Sequence, residues 1–255
     1  MLNFAIETAR EAGQILLEKF GRKINISKKG DINLVTEVDL ASEKLIIEKI
    51  RSRYPKHSIL AEESGEAMVS GGENHWKWII DPLDGTTNYA HGYPCFCVTL
   101  ALEHAGEIVV GVTFDPTRDE LFAAEKGRGA VLNNKPIRVS ETEKLSEALL
   151  VTGFPYDARE RENFARHFTG FTHKSRGIRR DGSAAIDMAY VACGRFDGFW
   201  EEGLHPWDVA AGVLLIEEAG GRVSYYDGSK FSIYKPPICA SNNTIHEEML
   251  GVFNP

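Results

Sequence analysis

Trp78-Ile79-Ile80-Asp81-Pro82-Leu83-Asp84-Gly85-Thr86-Thr87-Asn88 sets the architecture of this chain: an apolar run ends in two aspartates three residues apart, and a Gly-Thr-Thr turn follows at once. A strand over 76–80 delivers Asp81 at its end. Pro82 fixes its own φ and donates no hydrogen bond, so the turn to Asp84 is rigid. Gly85 lets the backbone approach a ligand, and Thr86, Thr87 and Asn88 start a helical turn with free amides. Carboxylates, a backbone carbonyl and a hydroxyl around one point suit a hard divalent cation, and amide donors suit phosphate. Two carboxylates about 4 Å apart repel by roughly 4 kcal/mol at an effective dielectric of 20, which a cation offsets. The plain alternative for an isolated Asp-x-x-Asp-Gly is an acidic surface turn with a good N-cap.

Before this stretch, residues 4–20 read as a helix with Ile6, Ala9, Gly13, Leu16, Leu17 and Phe20 inward. Lys28-Lys29-Gly30-Asp31 reads as a mobile loop or hairpin tip. A second helix runs from about Val38 to Arg53 with Leu40, Ile46, Ile47 and Ile50 inward, and Pro55 ends it. A strand over 58–61 leads into Glu62-Glu63-Ser64-Gly65, and 66–75 is a polar loop. After it, 96–102, 108–114, 121–125 and 129–132 alternate as hairpin strands, with turns at His104-Ala105-Gly106 and Asn133-Asn134-Lys135-Pro136. This half predicts an antiparallel-rich sheet beside two helices.

The pattern changes near 140. Strands at 149–151, 196–200, 222–226 and 237–240 alternate with helices at 159–168, 183–193, 207–219 and from 244, so a mixed, more parallel sheet is expected. The predicted division is residues 1–140, an α+β metal-binding domain, and 141–255, an α/β substrate-binding domain, with the active site between them. Asp208 falls in the first turn of an apolar helix, where a carboxylate also complements the helix dipole. His91 and His205 read as structural histidines. Cys95 and Cys97 share one face of a strand and read as core, since no second cysteine pair completes a zinc set.

Bulk properties exclude several classes. The 255 residues carry a formal charge of −8, which argues against a nucleic-acid partner. No run of 18 apolar residues spans a membrane, and the first residues lack a basic leader with an apolar stretch. Four scattered cysteines do not make a disulfide framework. The expected location is cytoplasmic. Neither a Gly-x-Ser-x-Gly elbow nor a Gly-x-x-x-x-Gly-Lys-Ser/Thr loop is present, which disfavours serine hydrolases and P-loop enzymes.

Glu62-Glu63-Ser64, Asp81-Pro82-Leu83-Asp84-Gly85-Thr86-Thr87 and Trp207-Asp208-Val209-Ala210-Ala211-Gly212 together resemble the inositol monophosphatase family of Mg²⁺-dependent, lithium-sensitive sugar phosphatases. Leu34-Val35-Thr36-Glu37-Val38-Asp39 and Gly182-Ser183-Ala184-Ala185 are similar to two further family segments. The resemblance implies a layered αβαβα sandwich, a homodimer, and two or three Mg²⁺ per site. It implies that Glu62, Asp81 and the Leu83 carbonyl bind one ion, and that Asp81, Asp84 and Asp208 bind another. Glu62 helps hold a weaker third ion through water. It assigns phosphate to the Gly85 and Thr86 amides, and water activation to Thr86 paired with Asp39. It gives the alcohol portion of a small phosphorylated polyol or sugar to Glu201, Ser183 and Ala184, and places Lys28 on a loop near the metals. The metal ligands Asp84 and Asp208 also face the substrate.

The segments Thr152-Gly153-Phe154-Pro155-Tyr156 and Arg179-Arg180-Asp181-Gly182 look like microbial members of the family, whose substrates include inositol phosphates, fructose 1,6-bisphosphate and histidinol phosphate. Arg179 and Arg180 read as a solvated basic pair, with reach to a second phosphate as the alternative. Some bacterial relatives also act as partners of the transcription machinery, so a regulatory binding role stands beside the enzymatic one. A haloacid-dehalogenase-type phosphatase fits less well. Its two aspartates are separated by one residue, whereas Pro82 and Leu83 both intervene here.

Overall fold

The computed structural model describes residues 1–22, 24–29, 33–68, 75–154, 158–235 and 237–254. Its first half runs α1 (Leu2–Lys19), β1 (Ile26–Lys29), β2 (Asn33–Thr36), α2 (Glu37–Arg53), β3 (Ser58–Ala61), β4 (Gly65–Ala67), β5 (Trp76–Asp84), α3 (Thr86–Ala90), β6 (Cys97–His104), β7 (Glu107–Asp115), β8 (Glu120–Glu125), β9 (Ala130–Leu132) and β10 (Lys135–Pro136). The second half runs β11 (Leu149–Thr152), α4 (Ala158–Lys174), β12 (Gly177–Arg179), α5 (Ala184–Ala192), β13 (Gly198–Glu201), α6 (Pro206–Glu218), β14 (Arg222–Ser224), β15 (Ile238–Ser241) and α7 (His246–Phe253).

Strands β3 to β10 form one sheet in the order β10-β9-β8-β7-β6-β5-β3-β4, antiparallel except where β3 runs parallel to β5. The second sheet is β12-β11-β13-β15-β14, with β11 parallel to both of its neighbours and β15 antiparallel to β13 and β14. Helices α1 and α2 cover one face of the first sheet, and α5 and α6 lie between the two sheets. Helices α4 and α7 cover the outer face of the second sheet. The result is the five-layer αβαβα order.

Local chemistry explains these layers. Ala5, Thr8, Ala9, Ala12, Gly13 and Leu16 form the buried stripe of α1. Leu17, expected inward, lies one residue off that stripe and is exposed. Helix α6 buries every residue from Val209 to Ile216 because a sheet covers it on either side, so it shows no polar face. In α2 the buried stripe includes Asp39, Ser42 and Glu43 with Ile46 and Ile50, while Leu40, expected inward, is 54% exposed. Acidic residues face inward there because they serve the turns beside them. Glu43 accepts the Glu63 and Ser64 amides at 2.9 and 3.0 Å. The predicted 66–75 loop begins instead with the edge strand β4, and residues 69–74 lie outside the described residues. Gly30 and Asp31, read as a loop tip, also lie outside them.

Candidate active site

Strand β5 carries the first two carboxylates. Asp81 pairs with Thr99 and Asp84 with Cys97, so three steps along β5 match two along β6. That is a β-bulge, and its consequence is geometric. Residues three apart on a regular strand face opposite sides, and one extra residue returns them to the same side. Asp81 and Asp84 therefore turn to one cavity. Pro82 suits the bulge because it has no N–H to leave unpaired. The Ser42 hydroxyl donates to the Pro82 carbonyl at 2.9 Å, and the Leu83 amide donates to Asp81 Oδ1 at 2.9 Å.

Three other elements converge on the bulge. Because β3 is parallel to β5, Glu62 emerges beside Asp81, and its amide donates to the Ile80 carbonyl at 3.2 Å. Asp208 occupies the third position of α6, where Oδ2 accepts the His205 amide at 2.6 Å. Ser183 caps α5; its hydroxyl donates to Asp84 Oδ2 at 2.6 Å and the Ala185 amide reaches the same oxygen at 2.8 Å. Oxygen atoms of Asp81, Asp84 and Asp208 all lie within 4.8 Å of one another. A magnesium ion with ligands near 2.1 Å separates opposite oxygens by about 4.2 Å, so this oxygen set fits such an ion.

The electrostatics are those of crowded, buried acids. Burial pushes Asp81 well above the usual carboxylate range, and Glu62, Asp84 and Asp208 push it further. Asp208 is raised by burial and then by Asp84. Asp84 is raised by burial, against donors from Ser183, Ala185, Ala184 and Gly85. Glu201, at the end of β13, is pushed up to about 8 by burial and then by Asp84. The Gly153 amide donates to it, and a Cβ on residue 153 would fall 2.0 Å from Glu201 Oε1, so a side chain there would displace that carboxyl.

Gly85 adopts φ +95° and is the N-cap of α3. The Thr86 hydroxyl lies 3.1 Å from Asp39 Oδ1 and 3.0 Å from the Leu83 carbonyl. Asp39 is itself fixed by a capping box. Its Oδ2 accepts the Thr36 amide at 2.9 Å, while Thr36 Oγ1 accepts the Val38 and Asp39 amides. Burial raises the Asp39 pKa and the Thr36 bonds oppose that rise. Asn88 Nδ2 donates to the Cys95 and Asp181 carbonyls, both at 2.8 Å, which ties α3 to the loop before α5.

A cavity of about 160 Å³ is lined by Glu62, Asp81, Leu83, Asp84, Gly85 and Thr86 on one side, and by Ser183, Ala184, Glu201 and Asp208 on the other. Asp39 lies behind Thr86 and is fully buried. Lys28 falls on β1, and its side chain lies outside the described residues, as do Pro155 and Tyr156. Ser183 is buried and its hydroxyl is committed to Asp84, so it acts on the cavity through that carboxylate. Cys95 and Cys97 are buried in a small core with Ala185 and Ile186. Arg179 and Arg180 are both exposed, as expected of a solvated pair, and Arg180 also borders the cavity with its guanidinium 5.0 Å from the centre of the Phe154 ring.

Asp187 also lines the cavity, and the reading of motifs passed over it. The signal was present: in Ala184-Ala185-Ile186-Asp187-Met188-Ala189-Tyr190-Val191-Ala192 it is the one charged residue of an otherwise apolar helix. Burial pushes its carboxyl well above the usual range, with Glu201, Asp181 and Asp84 adding to the rise and Arg180 opposing it.

Comparison with known proteins accords with this geometry. The chain is 47% identical to an inositol-1-monophosphatase of Synechocystis over 97% of its own length and 86% of the relative's. It is 43% identical to the Nus factor SuhB of Pseudomonas aeruginosa over 100% of its length and 96% of that protein. The structure of an inositol monophosphatase from Anabaena superposes with a TM-score of 0.89 at 48% identity, covering 99% of this chain and 94% of that one. The family model described as the inositol monophosphatase family matches residues 1–254, and the chain belongs to that family.

Proposed function

We propose that this protein is a Mg²⁺-dependent phosphomonoesterase that hydrolyses inositol monophosphate and related sugar phosphates by direct attack of water. The observation that carries this reading is the trio Asp81, Asp84 and Asp208, with oxygens within 4.8 Å, sharing one cavity with the Gly85–Thr86 turn. Glu62, Asp81, Asp84, Asp208 and the Leu83 carbonyl would hold two or three ions. Bound there, magnesium would acidify water and stabilise the leaving alkoxide.

The chain's own groups complete the chemistry. The amides of Gly85 and Thr86 hold the phosphate oxygens. Asp39 accepts the hydrogen bond of the Thr86 hydroxyl, so that the Thr86 oxygen can take a proton from the attacking water while its own passes to the Asp39 carboxylate. Glu201 presents its carboxyl to the hydroxyls of the alcohol portion. Ala184 forms the wall beside it. No covalent enzyme intermediate is required. The working form is a cytoplasmic homodimer with lithium-sensitive activity. Fructose 1,6-bisphosphate and histidinol phosphate are the alternative substrates.

Release of inorganic phosphate from a panel of sugar phosphates, with and without Mg²⁺, tests the proposal. Magnesium-dependent turnover of inositol monophosphate is expected; no turnover of any phosphomonoester with the metal present would overturn it. Relatives called Nus factor favour a second, binding role. Recovery of transcription proteins from cell extract by both wild type and Asp84→Asn would support it, since such binding would not need the metals.

A further inference from the structure

We propose that the Asp187 carboxyl is a hydroxyl-binding, specificity-determining group, which reads the alcohol portion of a phosphorylated polyol beside Glu201. This rests on the phosphatase reading above and adds a residue to it. Asp187 is 1% exposed, and its Oδ1 has no hydrogen-bond partner among the described residues. The same side chain lines the cavity. Buried polar atoms are almost always paired, so an unpaired oxygen on a side chain that lines the cavity leaves bonding capacity that a hydroxyl entering the cavity can take up.

Asp187 is not required as a helix cap. Ser183 caps α5, and the Ala185 amide is taken by Asp84. Nor is it held by the nearby cation, because the Arg180 guanidinium rests over the Phe154 ring. The charged groups around Asp187 are Glu201, Asp181 and Asp84, with Arg180 opposing them. The phosphate is assigned to the Gly85–Thr86 turn, which leaves the opposite wall, with Glu201 and Asp187, to the alcohol portion. A hydroxyl suits the acidic side, because it donates to an ionised carboxyl and accepts from a protonated one. A site built to bond a hydroxyl discriminates against an analogue that lacks it, since the buried carboxyl is then left unpaired.

The test crosses residue with substrate. Wild type, Asp187→Ala and Asp187→Asn are assayed with Mg²⁺ on inositol 1-phosphate, on its mono-deoxy analogues and on p-nitrophenyl phosphate. In Asp187→Ala the loss in kcat/KM is expected to be at least tenfold larger for inositol 1-phosphate than for p-nitrophenyl phosphate. One deoxy analogue, penalised by wild type, should lose most of that penalty in the variant. Asp187→Asn, with the same shape and an amide that still pairs with a hydroxyl, should recover part of the discrimination. Equal losses on both phosphates would assign Asp187 to the fold and overturn the proposal, as would unchanged penalties for every deoxy analogue. If Asp187→Ala fails to fold, the Asp187→Asn comparison decides alone: unchanged deoxy penalties overturn the proposal, and an altered penalty at one position supports it. If wild type hydrolyses none of these esters, the phosphatase reading itself falls and this one with it.

Discussion

Replacing Asp81 by asparagine should make the metal-free protein more stable while abolishing its activity. At 4.8 Å and an effective dielectric of 20, two unit charges repel by about 3.5 kcal/mol, and Asp81 faces both Asp84 and Asp208 at that distance or less. Protonation limits the strain: a carboxyl with a normal pKa near 3.8 can be neutralised at pH 7.5 for about 5 kcal/mol. The substituted side chain keeps an oxygen for the Leu83 amide, which lies 2.9 Å from Asp81 Oδ1 in the wild type, and its NH₂ faces acceptors. A net gain of about 2–3 kcal/mol is expected, or roughly 5–10 °C in Tm for a chain of this size.

The sign depends on pH. Because the Asp81 pKa is raised on folding, its contribution is fully present below the unfolded value of 3.8 and is lost as pH rises through the folded one. Wild type and Asp81→Asn should therefore melt together near pH 4 and diverge towards pH 8 when measured in EDTA. Saturating Mg²⁺ should reverse the order, since ligand at 100 times Kd adds about 2.7 kcal/mol to the form that binds it. Turnover should fall by about 10³-fold or more, as expected when a charge-stabilising group is lost. Calorimetry of both proteins at pH 8 with and without EDTA decides the matter. A lower Tm for Asp81→Asn in EDTA would refute the reasoning.

Gly85→Ala combines a left-handed backbone with a Cβ placed 2.8 Å from the Cys95 carbonyl. A loss of about 3 kcal/mol, roughly 6–12 °C in Tm, should accompany a sharp rise in KM, read by melting and steady-state kinetics. Ser183→Ala removes the 2.6 Å donor to Asp84 and the cap of α5. A cost of about 1–2 kcal/mol and a drop of about tenfold in metal affinity are expected, the latter by titration calorimetry. In Glu201→Gln the pH dependence should change. The Glu201 pKa rises from 4.5 to about 8, so its contribution to metal-free stability is complete below 4.5 and is lost as pH passes 8. Melting in EDTA from pH 6 to 9 should show a decline in wild type that is smaller, by up to about 3 kcal/mol, in the variant.

Much of the fold was legible because its signals are local. Gly106, Asn133 and Asn134 adopt positive φ, as their residue types imply, and Ala105 does so within the same tight turn as Gly106. The apolar run after Asp208 is a helix buried between two sheets. Other features depend on partners far along the chain. Leu40 looks like a core residue by composition, but α2 turns Asp39 and Glu43 inward because Thr86, Glu63 and Ser64 require acceptors there. The aspartate pair was visible, yet the bulge that aims both side chains one way exists only relative to β6. Asp187 escaped because its meaning comes from Glu201, fourteen positions later and on another element.

The hydrogen bonds around the acids show what the arrangement is for. Asp81 is held by a backbone amide, Asp208 by another, and Asp84 by the Ser183 hydroxyl and the amides of Ala185, Ala184 and Gly85. These bonds orient the carboxyl groups toward their neighbours. All these donors are neutral, and among the described residues no lysine or arginine forms an ion pair with Asp81, Asp84 or Asp208. A site selected for stability would place a guanidinium among them, as Arg195 sits on Glu120 elsewhere in this chain. A guanidinium would also occupy the point on which the oxygens converge. Neutral donors orient the carboxylates and leave their charge uncompensated, which is the condition for strong binding of a cation from solution. The crowding that weakens the metal-free fold is thus the same property that suits the cavity to a divalent cation.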